Sequence, residues 1–132
     1  MKVSVSVGSA YYDGSNWADL VEYVKAADRL GVAPVWSAEA WGMDAVASLG
    51  YLAGVTERIR IGSGIMQISA RTPATTALTA LSLAQVSGDR FTLGLGVSGP
   101  QVVEGWHGAS FADPLGRLRE YIQIVRMLLR GE

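Results

Sequence analysis

The chain has 132 residues, a formal net charge of −1 and a hydrophobic fraction of 49%, which suit one folded domain rather than a disordered segment. The small net charge gives no reason to expect a nucleic-acid or membrane surface. The absence of cysteine excludes disulfides, thiolate catalysis and cysteine-bound metal, and agrees with a reducing compartment. Because no apolar run reaches the roughly 18 residues of a membrane span, and the N-terminus lacks a signal-peptide pattern, we expect a cytoplasmic protein.

The first two strand–helix units are predicted from alternating valines and from helix-capping residues. Three valines that alternate with serines predict the first strand, namely Val3, Val5 and Val7. After a predicted loop, AYYDGSN, Asn16 and Asp19 indicate a helix cap, and Gly31 indicates the end of that helix. A second strand is predicted at Val35 and Trp36. Apolar residues at helical spacing predict the next helix, namely Val46, Leu49, Leu52 and Val55.

The third unit begins at Ile59 and Ile61, a predicted strand that runs into the glycine-rich segment 62–64. Thr72 and Pro73 have the residue types of a helix cap and of a first helical turn. The helix that they begin carries three further apolar residues, Leu78, Leu81 and Ala84.

The fourth unit has a strand predicted over residues 91–97, FTLGLGV. Asp113 and Pro114 predict the start of its helix, and Gly131 predicts the end. The apolar stripe of this helix consists of Leu115, Leu118, Ile122, Val125 and Leu129.

The element order is therefore βαβαβαβα, which predicts an α/β fold with parallel strands and helices packed outside them. An open doubly wound sheet and part of a barrel both fit this order. A complete (β/α)8 barrel takes about 250 residues, so we interpret residues 1–132 as a single domain, a (βα)4 half of a TIM barrel. Its first and fourth strands would be open edges, and such edges invite pairing. We therefore expect self-association through the strand edges, or a native chain that continues.

Polar and aromatic residues follow the second and fourth strands, where α/β barrels keep their catalytic groups. Glu39 and Trp41 follow the second strand, and a carboxylate beside an aromatic ring could serve as an acid or a base. A buried ion pair of Glu39 with Arg71 or Arg58 explains the same residue equally well. The loop after the fourth strand carries Ser98, Gly99, Glu104, Trp106 and the only histidine, His107.

Two other kinds of site are disfavoured by the sequence context. Gly94, Gly96 and Gly99 spell the G-x-G-x-x-G pattern of dinucleotide-binding folds, but the pattern overlaps a strand and no clear helix follows it. Close approach of a ligand or of backbone explains these glycines better. His107 has no clustered ligands around it in the sequence, because the carboxylates lie on different loops, so we expect no metal site.

Six segments together resemble the luciferase-like monooxygenase superfamily: WSAEAWG at 36–42, TERIRIG at 56–62, ARTP at 70–73, SGDRF at 87–91, GLG at 94–96 and SGPQVVEGWHG at 98–108. The last segment is most similar to the branch that uses the deazaflavin coenzyme F-420. The resemblance covers the whole chain, but only the N-terminal half of a usual member.

This resemblance implies a TIM barrel with a flavin or deazaflavin across the C-terminal mouth. It implies a non-prolyl cis peptide at Gly64–Ile65, with Ser63 beside it, and a cofactor contact at Ser98 and Gly99. Two positions depart from the deazaflavin sugar dehydrogenases of the family. Ala40 stands where a histidine is usual, and Pro100 stands where some members have a glutamate.

Those departures leave Glu39, Trp41, Glu104 and His107 as the candidates for proton transfer. The expected reaction is hydride transfer between a deazaflavin and a small organic substrate. An FMN-dependent monooxygenase is the second hypothesis, and a non-catalytic half barrel that self-associates is the third. The family's phosphate site uses loops late in the barrel, so we expect this chain alone to bind a cofactor weakly and to show little activity.

Overall fold

The computed structural model describes residues 3–7, 16–39 and 41–132. Most of the predicted loop AYYDGSN, including Asp13, lies outside these ranges, and so does Ala40. Within the described ranges no helix is both long enough and apolar enough to cross a membrane. The element order agrees with the predicted alternation of strands and helices.

The described residues form six short strands and five helices. The strands are β1 (Val5–Ser6), β2 (Val35–Ser37), β3 (Ile61–Ser63), β4 (Met66–Gln67), β5 (Phe91–Thr92) and β6 (Leu95–Gly96). The helices are α1 (Trp17–Arg29), α2 (Ala45–Val55), α3 (Pro73–Ser87), α4 (Pro100–Val103) and α5 (Pro114–Leu129).

All observed strand pairs are parallel, as predicted. One sheet has the order β1-β2-β3-β5, and a second pair, β4-β6, continues it beyond an interruption. The edges of the four-stranded sheet are therefore β1 and β5, which are the starts of the predicted first and fourth strands. Because the strands share one direction, the loops that follow them gather at one rim of the sheet.

The predicted third and fourth strands are each interrupted. Between β3 and β4 lies the cis peptide Gly64–Ile65, and between β5 and β6 lies Gly94. The Ser63 hydroxyl accepts from the Gly94 N–H and donates to the Gly94 carbonyl, both at 2.9 Å. This side chain therefore replaces the missing ladder bonds, and the prediction of one unbroken strand over 91–97 was wrong.

The capping predictions for α1 and α3 are confirmed. The Asn16 side chain accepts from the Asp19 N–H at 2.9 Å, and Thr72 accepts from the Thr75 N–H at 3.2 Å, with Pro73 in the first turn. Gly31 follows α1 with a φ of 72°, a left-handed conformation that glycine adopts at little cost.

The buried face of α3 differs from the stripe suggested by its leucines. Leu78 and Leu81 are 65% and 52% exposed. The residues that face the core are smaller, namely Thr76, Ala77, Ala80, Leu83 and Ser87. Small residues let α3 pack closely on α2 and α5, and this packing overrides the preference of leucine for burial. On α5, Val125 is buried as predicted, whereas Leu115 is exposed.

The rim opposite the strand ends is held together by Asp28 and Arg90. The Asp28 carboxylate accepts from the backbone N–H groups of Glu57, Arg58 and Ile59 at 2.6 to 3.0 Å. The Arg90 guanidinium donates to the carbonyls of α2 and of the segment after it, including Ala53 and Ile59. These contacts tie the end of α2 to the start of β3 and leave the other rim for the site.

Candidate functional site

The carboxyl ends of β2, β4 and β6 bring the predicted site segments together. The Glu39 N–H donates to the Ile65 carbonyl at 3.1 Å, and the Gly64 N–H donates to the Ser37 carbonyl at 2.8 Å. Ile65 also lies beside Gly96, because a Cβ at Gly96 would fall 2.9 Å from the Ile65 Cδ1. The loops after the second, third and fourth predicted strands therefore share one rim, as the sequence analysis required.

Glu39 is the buried carboxylate of this rim and is only 8% exposed. Its Oε1 accepts from the Ala45 N–H at 3.2 Å, at the first residue of α2. Its Oε2 accepts from the Gln67 N–H at 3.3 Å and from the Arg71 guanidinium at 2.6 Å. A carboxylate near the start of a helix also interacts favourably with the helix dipole. Glu39 thus joins β2, α2 and β4.

Arg71 pairs with two carboxylates across the rim. Besides Glu39, it contacts Asp44 at 2.5 Å, and Asp44 also caps α2 by accepting from the Ala47 N–H at 2.7 Å. The hydrogen bond that Arg71 donates to Glu39 is the main cause that raises the pKa of Arg71, so its positive charge is fixed. Of the two interpretations of Glu39, the structure shows the ion pair, and the partner is Arg71 rather than Arg58. A proton-transfer role for Glu39 stays a prediction.

An open cavity of about 160 Å³ lies above this ion pair. Its polar lining includes Glu39, Arg71, Gln67 and His107. The His107 Nε2 lies 2.8 Å from the Gln67 Nε2, so the predicted loop residue His107 meets a side chain of β4. A cavity with a few convergent polar groups at the strand ends is the usual form of a binding site in such folds.

Two tryptophans join the segments that follow β2 and α4. Trp41 and Trp106 form an edge-to-face pair with ring centroids 5.4 Å apart. Both side chains remain exposed, so each ring has free surface that a bound molecule could cover. Aromatic pairs of this geometry contribute about 0.5–1.5 kcal/mol beyond the buried area. The predicted site residue Trp41 therefore contacts Trp106, the residue that precedes His107 in the sequence.

The residues implied as cofactor contacts fall into two groups. Gly64 is exposed and Ile65 half-buried, and the cis peptide that the resemblance implies lies between them. Ser63 is buried, and its hydroxyl is occupied by Gly94. Gly64 and Ile65 can therefore face a ligand, whereas the hydroxyl of Ser63 serves the backbone.

The loop after β6 is shaped by an unusual backbone conformation. Ser98 has a φ of 60°, in the left-handed region that non-glycine residues seldom adopt. Gly99 precedes the single turn of α4, which the sequence analysis did not foresee. Glu104 ends that turn, and its carboxylate accepts from the Phe111 N–H at 3.1 Å. Glu104 does not line the cavity with His107 and Glu39.

Gln67 was not predicted as a site residue, and Arg71 was predicted only as a pairing partner. The signal for Gln67 was a polar residue within an otherwise apolar strand, MQI, directly after the glycine-rich segment. Among the described residues, no group of three or more His, Asp or Glu is arranged to hold a metal ion.

Comparisons with known proteins show what the chain is similar to. A protein of Mycobacterium tuberculosis, provisionally assigned as a coenzyme F-420-dependent oxidoreductase, is 48% identical over 132 residues, which is 100% of this chain and 38% of that protein. A 5,10-methylenetetrahydromethanopterin reductase of Methanolobus tindarius is 34% identical over 86% of this chain and 35% of that enzyme. The chain thus spans little more than a third of these relatives.

The fold likewise matches part of a larger barrel. The oxygenating constituent of 3,6-diketocamphane monooxygenase from Pseudomonas putida, solved with FMN, superposes with a TM-score of 0.86 at 18% identity, over 100% of this chain and 40% of that one. This likeness establishes the fold and agrees with a (βα)4 half of a barrel. The sequence profile described as luciferase-like monooxygenase matches residues 1–132, so the chain belongs to the luciferase-like monooxygenase family.

Proposed function

We propose that this chain supplies part of the active site of a deazaflavin-dependent oxidoreductase. The reaction would be hydride transfer between coenzyme F-420 and a small organic substrate. The observation that carries the proposal is the 48% identity, across all 132 residues, with the protein assigned as F-420-dependent. The open cavity at the strand ends gives the reaction a place on this chain.

The residues present at the rim fit a flat, partly polar ring. Gly64 is exposed and has no side chain, so a ring can approach the backbone there, and Ile65 adds an apolar surface. Gly99 and the left-handed Ser98 bring further backbone close to the same rim. These four residues would hold the cofactor, which supplies the hydride chemistry when bound.

The polar residues of the cavity would bind and orient the substrate. Arg71 is paired with both Glu39 and Asp44, so its positive charge is not free for a ligand. His107 remains as a polar residue that lines the cavity, and Trp41 offers an exposed aromatic surface. Of the predicted proton-transfer candidates we favour His107, because Glu39 is paired with Arg71 and Glu104 accepts from the Phe111 N–H.

An FMN-dependent monooxygenase is the second candidate. The family description names monooxygenases, and the P. putida protein of the same fold was solved with FMN. The two candidates differ in the cofactor, because FMN supports reaction with oxygen whereas a deazaflavin works by hydride transfer. They use the same rim, so cofactor preference distinguishes them.

Separate fluorescence titrations of the chain with F-420 and with FMN test this proposal. We expect saturable binding of F-420 that is tighter than that of FMN. Ser98→Trp should weaken it at least several-fold by filling the rim, and Ser98→Asn, which suits the left-handed conformation, serves as a milder variant. Circular dichroism checks that both variants fold.

Tighter binding of FMN would favour the monooxygenase. Saturable binding that Ser98→Trp leaves unchanged would contradict the placement. Binding of neither cofactor by a stably folded, self-associated chain would support the non-catalytic half barrel instead.

A further inference from the structure

Gln67 is a buried side chain that the proposed reaction does not itself require. It lies in β4 and is 3% exposed. Its amide is engaged at both ends, since Oε1 accepts from the Ser69 hydroxyl at 3.2 Å and Nε2 lies 2.8 Å from the His107 Nε2. The Gln67 backbone N–H is bound to Glu39 at 3.3 Å. Both the backbone and the side chain of Gln67 are therefore held in place.

The orientation of this amide has a consequence for the protons of the imidazole ring. An amide nitrogen carries two hydrogens and only donates. When the Gln67 Nε2 donates to the His107 Nε2, that ring nitrogen must carry a lone pair and no hydrogen. A neutral imidazole has one N–H, which is then on Nδ1. The Ser69 hydroxyl, 3.2 Å from Oε1 at the other end of the amide, is compatible with this orientation.

We propose that Gln67 is a positioning residue that fixes His107 in the Nδ1–H form. His107 lines the cavity, and with Nε2 occupied, Nδ1–H is the ring group left to donate to a bound molecule. Such a donor suits an acceptor oxygen, either the carbonyl of a substrate or the alkoxide that forms when a carbonyl accepts a hydride. This inference rests on the proposed function only for the identity of the bound molecule. The assignment of the proton concerns the chain alone.

Nitrogen NMR of the imidazole ring tests the assignment without any cofactor. His107 is the only histidine among 132 residues, so a ¹⁵N-labelled chain gives a single pair of ring nitrogen signals. At a pH where the imidazole is neutral, we expect a pyridine-type shift for Nε2 and a pyrrole-type shift for Nδ1. A pyrrole-type shift for Nε2 in the unmodified chain would overturn the proposal.

Two variants separate positioning from a merely structural role. Gln67→Met keeps the length of the side chain but cannot donate, so the two nitrogen signals should shift towards an exchanging mixture of tautomers. Gln67→Glu offers an acceptor, so Nε2 should gain the hydrogen and its signal should change to the pyrrole type. The exposed Gln123→Met on α5 is the matched control and should leave both signals unchanged.

Identical ring signals in the unmodified chain and in folded Gln67→Met would also overturn the proposal. If Gln67→Met fails to fold, the ring signals of Gln67→Glu and of the unmodified chain still decide which nitrogen carries the hydrogen. Failure of F-420 or FMN to bind would count against the proposed function but would leave the nitrogen assignment standing, so the two failures can be told apart.

Discussion

At the scale of single residues, capping is local and was predictable, whereas pairing across the chain was not. Asn16 and Asp19 are three positions apart, so the sequence alone indicates their contact. Arg71 and Glu39 are 32 positions apart, and the sequence left two arginines as possible partners. The contact between Gln67 and His107 spans 40 positions. The parallel pairing of β4 with β6 places Gln67 beside the start of the loop that carries His107, and no local pattern encodes this pairing.

Asp28 links the stability of the fold to pH. Burial raises the pKa of its carboxyl, but hydrogen bonds from the backbone N–H groups of Glu57, Ile59 and Arg58 outweigh this effect and leave the pKa below its ordinary value. A carboxyl with a lowered folded-state pKa stabilises the fold at neutral pH. That stabilisation is lost as the pH falls through the lowered value.

We therefore expect Asp28→Asn to lower the free energy of unfolding by about 2 kcal/mol at pH 7, since charged hydrogen bonds are lost. The difference from the unmodified chain should shrink as the pH is lowered below the ordinary aspartate pKa of about 3.9. Urea unfolding at a series of pH values measures this difference in the free energy of unfolding. Asp89→Asn, an exposed control, should leave the profile unchanged. A constant difference between Asp28→Asn and the unmodified chain at every pH would contradict the account.

At the scale of elements, the order and type of the helices and main strands were predictable, but their faces and interruptions were not. The third helix illustrates the limit, because its leucines suggested a buried stripe that the structure places largely outside. The interrupted strands illustrate a second limit. Ser63 replaces the ladder at Gly94, and nothing in the pattern of FTLGLGV distinguishes this arrangement from a continuous strand.

The interruption between β5 and β6 requires a glycine at position 94. A Cβ at this position would overlap the backbone carbonyl oxygen of Ser63, which cannot move without breaking the hydrogen bonds of β3. We expect Gly94→Ala to lower the free energy of unfolding by about 3 kcal/mol, at the upper end of ordinary single substitutions. The midpoint of urea unfolding gives the measurement.

Gly54→Ala is the matched control for this substitution. Gly54 lies exposed within α2, and a Cβ there meets nothing within 4 Å. Because alanine is the better helix former, this variant should gain about 0.5–1 kcal/mol. Equal stability of Gly94→Ala and the unmodified chain would show that the close approach to Ser63 is not a constraint.

At the scale of the whole molecule, the alternation of strands and helices predicted the architecture. The exposed edges of the four-stranded sheet raise the question of what pairs with them. We propose that the chain self-associates through β1 or β5. The N–H groups of Val5 and Val7 donate to the carbonyls of Pro34 and Trp36, so the N–H of Ser6 lies on the other edge of β1, where no strand of the described residues pairs with it. An unpaired edge of this kind is a template for a further strand.

Light scattering at micromolar concentration should therefore show a species larger than the monomer. Ser6→Pro removes the free N–H and should shift the population towards the monomer, whereas Ser6→Ala retains the N–H and should not. A monomeric unmodified chain would contradict the proposal. Equal association of the proline and alanine variants would exclude the β1 edge and leave β5.

The placement of the cofactor at the rim formed by the strand ends is tested most directly by amide NMR of the ¹⁵N-labelled chain during titration with F-420. We predict that the shifted signals cluster at residues 39, 64–67 and 98–107, the loops that follow the parallel strands. The amides around Asp28, Arg58 and Arg90 at the opposite rim should stay unchanged. Shifts concentrated at that opposite rim, or spread evenly over both, would contradict the account.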